Sequence, residues 1–164
     1  MQYESGAAAA ARELLRHTVA TLAYRGGKAL RDAPAGFSDF HAPAAVRSPG
    51  QILAHMGDLM DWALAMAQGK PAWHDSPPLP WDEGVSRFFT ALQAFDAYLA
   101  SGEPLAYQPA KLFQGPVADA LTHVGQIAIL RRLAGAPVRA ENYFQADIAV
   151  GRVGPQQTPP RREF

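Results

Sequence analysis

Apolar side chains recur every three to four positions in four long stretches of the sequence, and this period most restricts the fold. The stretches run from Ala7 to about Leu30, from Pro49 to about Ala67, from about Asp82 to Ala100 and from near Gly115, or slightly earlier, to Ala134. Such a period places the apolar side chains on one face of an α-helix. Alanine is frequent and β-branched residues are sparse, which also favours helices. The sequence therefore predicts an all-α protein.

Capping residues mark the ends of these predicted helices. Ser5 and Ser48 precede the first two stretches as N-caps, and Pro49 suits a first helical position because its missing N–H would have no partner there. Gly102 and Gly135 follow the third and fourth stretches, where glycine commonly ends a helix. These residues give four separate helices with defined ends.

Four helices of roughly 30 Å each suit a four-helix bundle with long connections. The connections cover about residues 31–48, 68–81 and 101–114. Fully extended, the second would reach roughly 40 Å, which is enough to carry the chain back along a helix. We therefore expect one crossover. We also expect a single domain over residues 1–164, with a flexible end at 155–164.

The composition excludes several classes of protein. Fifteen Lys and Arg balance fifteen Asp and Glu, so we expect no nucleic-acid or membrane partner that binds through charge alone. The chain has no cysteine, which excludes disulfides and thiolate metal ligands. Neither a long apolar run nor a signal-peptide pattern is present, so we expect a cytoplasmic protein. The neutral net charge would not oppose a homodimer.

Three polar side chains interrupt the apolar faces of the second and fourth helices. Asp119 and His123 are four residues apart, which puts them on one helix face with Cβ atoms about 6 Å apart. On many helices such a pair faces solvent, but here Ile127 and Leu130 continue the same face. His55 lies on the apolar face of the second helix, where a histidine bonded to a carbonyl or hydroxyl is the commoner arrangement.

These three side chains together predict a metal site. A buried carboxylate needs a cation or a hydrogen-bonded partner, and two imidazoles with one carboxylate are typical of catalytic zinc sites, which keep one position open. The same donors also fit nickel, iron or manganese. The sequence around His55, LAHMGDL, is similar to that around His123, LTHVGQI.

The two strings and their order resemble the DinB/YfiT-like family of metal-dependent enzymes over roughly residues 8–150. The most specific part is the string from Asp119 to Gln126 in the last predicted helix, followed by LRRLAG. The resemblance implies a four-helix bundle that holds one divalent metal, nickel or zinc, through His55, His123 and a third histidine. Asp119 stands at the place of that third histidine, as a carboxylate does in the related mycothiol-dependent maleylpyruvate isomerase branch.

Five further residues are candidates for the surroundings of this metal. Gln126 would orient a ligand or donate to an oxyanion, or else bond between helices. Asp58, three residues after His55, would support a ligand imidazole, although such a carboxylate is more often solvated. Tyr24 and Arg25 precede a double glycine and would line the pocket mouth, where Arg25 would hold an anionic group. Trp62 would border the pocket or belong to the core.

Four other polar or aromatic residues receive less weight. Trp73 and His74, in the proline-rich connection, would cap the cavity. Arg131 and Arg132 lie in the last turn of the fourth helix, where their charges complement the helix dipole.

The sequence thus predicts a metal-dependent enzyme that acts on a small electrophilic substrate. The resemblance implies a low-molecular-weight thiol as cofactor, in a transferase or isomerase reaction, and water would serve in a hydrolase. The alternative is a helical bundle that binds a metal or a small ligand without turnover.

Overall fold

The computed structural model describes residues 6–43 and 47–164, and it confirms the all-α prediction. Its helices are α1 (Gly6–Leu30), α2 (Pro49–Ala67), α3 (Trp81–Ala100), α4 (Pro109–Leu112) and α5 (Ala118–Leu133), with a π-helical turn at Phe113–Val117. Short 3-10 turns cover Phe37–Asp39 and Tyr143–Gln145. The N-cap predicted at Ser5 lies outside the described residues.

The first turn of α2 is fixed by a capping box, as the Ser48-Pro49 pair predicts. The backbone N–H of Gln51 donates to Ser48 Oγ at 3.3 Å, and the Gln51 side chain accepts from the backbone N–H of Ser48 at 2.9 Å. This reciprocal pair satisfies donors that helix geometry leaves without partners. It sets the start of α2 two turns before His55.

The fourth helical segment begins earlier than the sequence predicts and contains a proline. It starts at Pro109 and continues through the π turn into α5. Pro116 has no N–H to donate within a helix, and the backbone around it adopts the wider π turn instead. The turn ends two residues before Asp119 and therefore sets the rotation of that side chain about the helix axis.

Helices α2 and α3 run parallel. Gly84 packs against Leu53 near the start of both helices, and Arg87, one turn further along α3, reaches Ala54, Asp58 and Asp61 of α2. The chain from residue 68 to residue 80 must therefore return along the bundle. This is the crossover that the length of the connection predicts.

The other helix pairs complete the bundle. Helix α1 is antiparallel to α3, since Arg16 pairs with Asp96. Helix α2 is antiparallel to α5, because His55 lies beside His123 while Trp62, further along α2, lies beside Gly115. Two histidines distant in sequence therefore face each other across the interface between α2 and α5.

The helices share one apolar core. Its largest fully buried side chains include Phe88, Phe95, Met56, Met60 and Ile127. The double glycine of α1 contributes to this packing, because the Phe88 ring lies where a side chain at residue 26 would be. No helix in the described part of the chain is both long enough and apolar enough to span a membrane.

The C-terminal segment, for which we expected a flexible end at 155–164, contacts α1 through Glu163. Glu163 Oε1 lies 2.7 Å from Lys28 Nζ. The backbone of Glu163 also forms an isolated antiparallel β-bridge with that of Glu141. Glu141, whose side chain is fully buried, accepts from the same ammonium group at 2.7 Å and from Tyr24 at 2.6 Å. Burial lowers the pKa of Lys28, but its hydrogen bonds to the two glutamates outweigh that effect and raise it.

Arg131 does more than complement the dipole of α5. It is buried, and its guanidinium donates to the carbonyl oxygens of Ala29, in the last turn of α1, and of Arg31 and Asp32, just after it. These carbonyls would otherwise lack helical partners. Arg131 therefore joins the ends of α1 and α5.

Candidate metal centre

The structure brings the three predicted metal ligands together. Nε2 of His55 lies 3.5 Å from Oδ2 of Asp119, and Nε2 of His123 lies 3.4 Å from Oδ1 of the same carboxylate. The two imidazole rings are 4.8 Å apart between centroids and nearly perpendicular. One donor atom from each residue lies within 4.8 Å of the other two.

The spacing of these donors suits a cation better than direct hydrogen bonds. Distances of 3.4 and 3.5 Å exceed those of good N–H···O bonds, which lie near 2.9 Å. Each is close to the separation of about 3.4 Å between two donors bound to one tetrahedral zinc, with the two imidazoles facing different oxygens of Asp119. The Asp119 side chain is 47% exposed, yet both of its oxygens face imidazoles. The donor set is therefore reachable from solvent and fits a divalent cation.

Gln126 holds His123 in the form that binds a cation. Nδ1 of His123 lies 2.9 Å from Gln126 Oε1, and the amide oxygen accepts the ring proton. A proton on Nδ1 leaves the lone pair on Nε2, the nitrogen that faces Asp119. Histidine ligands in metalloproteins are usually oriented by such a bond from the other ring nitrogen.

His55 is biased toward its neutral form. Burial lowers its pKa, and the positive charge of Arg47 and the neighbouring His123 ring lower it further, against the opposing effect of Asp119. A neutral imidazole has the lone pair that a metal requires. A pocket of about 370 Å³ adjoins His55, with Arg47 and Gln51 among its lining residues.

Two tryptophans lie beside the donors. The Trp73 ring packs edge-to-face with His55 at 5.5 Å and with Trp62 at 5.8 Å. Trp73 comes from the crossover, so this connection does reach the candidate site. Trp62 approaches the site through Trp73 and also packs beside Gly115.

Asp58 was predicted to support a ligand imidazole, but its partners in the structure are Ser76, Arg87 and His74. Its buried carboxylate accepts from the backbone N–H of Ser76 at 2.8 Å, from the Ser76 hydroxyl at 2.7 Å and from Arg87 at 2.7 Å. His74, predicted to cap the cavity, has Nε2 3.0 Å from the same carboxylate. We call Asp58, Asp61, His74, Ser76 and Arg87 the latch cluster, because they tie the crossover to α2 and α3.

The latch cluster resembles a metal site in its donors but contains its own cation. Asp58, Asp61 and His74 offer donor atoms within 4.8 Å of one another. Nη2 of Arg87 lies 2.7 Å from an oxygen of each aspartate. Burial raises the pKa of Asp58, but its hydrogen bonds to Ser76 and Arg87 outweigh that effect and hold it below its ordinary value. The guanidinium therefore supplies the positive charge that the two carboxylates need.

Tyr24 and Arg25, which we expected at the pocket mouth, contact the C-terminal segment. The Tyr24 hydroxyl donates to Glu141, and burial followed by this bond raises its pKa. The guanidinium of Arg25 lies 4.4 Å from the ring centroid of Tyr143, in a cation–π contact. Both residues anchor the segment that follows α5.

The similar strings around His55 and His123 differ in how their glycines are used. A side chain at Gly57 would collide with the guanidinium of Arg87, so this glycine makes room for the latch cluster. At Gly125 a side chain would meet only open space. The likeness of the two strings therefore does not extend to their packing.

Arg87 and Ser76 were not predicted as functional residues from the sequence. A signal for them was present, because Asp58 shares the apolar face of α2 and a buried carboxylate requires a cation. The partner could not be chosen from the sequence, since several basic residues lie at suitable helical positions. Only the packing of α3 on α2 selects Arg87.

Comparison with protein-family models, with curated proteins and with solved structures gave no match. The likeness to the DinB/YfiT-like family therefore depends on the sequence strings around His55 and His123.

Proposed function

We propose that this protein binds one divalent cation through His55, Asp119 and His123 and acts as a metal-dependent enzyme on a small electrophilic substrate. The main support is the convergence of two imidazoles and one carboxylate, with Nε2-to-oxygen distances of 3.4 and 3.5 Å, from two helices. Three protein donors leave a position for a water, a thiol or a substrate atom. By the resemblance described above, we propose a DinB-like enzyme that uses a low-molecular-weight thiol or water.

The residues around the donors favour this function over a purely structural one. The amide oxygen of Gln126 favours the Nδ1–H tautomer of His123, which has its lone pair on Nε2, and burial lowers the pKa of His55, which favours its neutral ring. Asp119 carries the negative charge that offsets part of the charge of a divalent ion. Its side chain is 47% exposed, which allows a substrate to approach.

A bound zinc or nickel ion, or iron or manganese with the same donors, would lower the pKa of a thiol or water beside it. The chain supplies the positions of the reacting groups: Asp119 lies at the solvent side of the donors, and the pocket beside His55 offers room for a small molecule. The lining of this pocket carries the guanidinium of Arg47 together with the carboxylates of Asp58 and Asp75.

Metal content and thiol transfer test the proposal in sequence. The metal-free protein is incubated with zinc or nickel, desalted and analysed for bound metal, with His123→Ala as the comparison. The loaded protein is then assayed with small thiols and an activated aryl chloride, in which the thiol sulfur forms a bond to carbon and chloride leaves. Turnover that requires both the metal and His123 supports an enzyme. If the protein binds metal stoichiometrically but catalyses neither thiol transfer nor the hydrolysis of activated esters, the alternative of a bundle that binds metal without turnover is favoured.

A further inference from the structure

An apolar corner formed by Trp62 and Trp73 adjoins His55, one of the three donors. The rings of Trp62 and Trp73 meet at 88° with centroids 5.8 Å apart, and the Trp73 ring also packs on His55 at 5.5 Å. Trp73 is 45% exposed although it belongs to one of the most apolar residue types. A large exposed indole next to a polar cluster is typical of ligand pockets, in which aromatic walls accompany a few polar groups.

The position of Trp73 is fixed even though the crossover has no regular secondary structure. Its indole N–H donates to Asp75 Oδ1 at 3.2 Å. One residue further on, both polar groups of Ser76 bond to the buried carboxylate of Asp58. The prolines at 71, 77, 78 and 80 restrict the unbonded parts of the crossover. The indole is thus held against His55 before any ligand arrives, which lowers the cost of ordering on binding.

We propose that Trp73 determines ligand specificity at this site, by binding a planar apolar group, such as an aromatic ring, of the molecule that occupies the open metal position. This inference rests on the proposed metal site. The Trp73 ring is 45% exposed and packs on the donor His55, and an aromatic ring that stacks on it gains contact energy that a methyl group does not. Trp62, whose ring is perpendicular to that of Trp73, forms the other wall of the corner.

Two hydroxamates on the cobalt-loaded protein test this inference. Acetohydroxamate and benzohydroxamate carry the same metal-binding group and differ in a methyl against a phenyl group. Their dissociation constants are measured from the visible absorption of cobalt(II), for the wild-type chain and for Trp73→Ala. The ratio of the two constants within one protein cancels any general change in metal or hydroxamate affinity.

The wild-type protein is expected to prefer benzohydroxamate, and Trp73→Ala is expected to reduce that preference about three- to tenfold. Trp73→Phe keeps a ring and is expected to retain most of the preference. Tyr107→Ala is the matched control, because Tyr107 is 40% exposed in the next connection. Its neighbour Ala106 bonds to the end of α2, about 18 Å along that helix from His55.

The outcomes separate this inference from the proposed function. If cobalt and both hydroxamates bind but the preference is the same in wild type and Trp73→Ala, the role of Trp73 is wrong and the metal site stands. If the folded wild-type protein binds no cobalt, the proposed function fails, and the inference fails with it.

Discussion

The two groups of His and Asp side chains on α2 have similar donors but differ in the source of their positive charge. In the latch cluster, Arg87 of α3 lies 2.7 Å from both aspartates. In the candidate metal centre, Asp119 pairs with two imidazoles and with no Lys or Arg side chain of the residues described. Close donor atoms alone therefore do not define a metal site. A donor set is a strong candidate where the chain supplies no cation of its own.

The largest effect is expected from removing the cation of the latch cluster. Arg87→Gln leaves the buried carboxylate of Asp58 without its charged partner, which should lower the free energy of unfolding by about 2–4 kcal/mol. Urea unfolding at neutral pH measures this loss. Arg87→Lys is the matched control, since it keeps a positive charge and should lose less.

Adding zinc to the same unfolding experiment tests whether Arg87 takes the place of a metal ion. In Arg87→Gln the donors of Asp58, Asp61 and His74 have no internal cation, so added zinc should raise the stability of this variant more than that of the wild type. Equal stabilisation of both proteins would show that Arg87 does not exclude a metal from the latch cluster.

Asp58→Asn should destabilise the protein by about 2 kcal/mol at neutral pH, because bonds to a charged group are lost. The pKa of Asp58 is lowered from its ordinary value of 3.8 in the folded state. Its charge therefore stabilises the fold above about pH 4, and this contribution disappears as the pH falls through the lowered pKa.

Urea unfolding of the wild type and Asp58→Asn across this pH range tests the expectation. The difference in stability between the two proteins should shrink as the pH falls below about 4. A difference that does not change with pH would mean that the charge of Asp58 is not involved.

At the metal centre, Gln126→Ala removes the acceptor that keeps the proton of His123 on Nδ1. We expect zinc affinity to fall about tenfold, as for other groups that orient metal-bound histidines. Competition with a chromophoric chelator measures the affinity. Thr122→Ala, on an exposed position of the same helix, should leave the affinity unchanged, and an equal loss in both variants would assign the effect to α5 rather than to Gln126.

Substitution of the two glycines that follow the histidines should change the stability of the protein least, and in opposite directions. Gly125→Ala places a methyl group in open space on a helix and should stabilise the protein by about 0.5–1 kcal/mol. Gly57→Ala should destabilise it instead, since the new methyl group displaces the guanidinium of Arg87. Thermal unfolding of both variants compares them. Stabilisation by both substitutions would show that Arg87 moves aside without cost.

The helices were predictable because their signals are local. Apolar spacing and the Ser48 cap gave α2 its bounds, and the same reasoning gave α1 and α3 to within one residue. The π turn was not predictable, because it depends on how the backbone around Pro116 accommodates a missing N–H. The directions of the helices also needed the structure, since the crossover length permits more than one arrangement.

The candidate site shows the same limit of local signals. The spacing of Asp119 and His123 on one helix predicted their proximity, and the polar break on α2 identified His55. Asp58, three residues after His55, seemed equally close by helical spacing. Its partner is Arg87, 29 residues away, and only tertiary packing decides that.

The most direct test of the metal centre is the zinc content of the folded protein after loading and desalting. We predict one zinc per chain for the wild type and for His74→Ala, which alters only the latch cluster, and close to none for His55→Ala and His123→Ala. A wild-type protein that holds no zinc or nickel, or a His74→Ala variant that loses the metal while His123→Ala keeps it, would contradict the assignment.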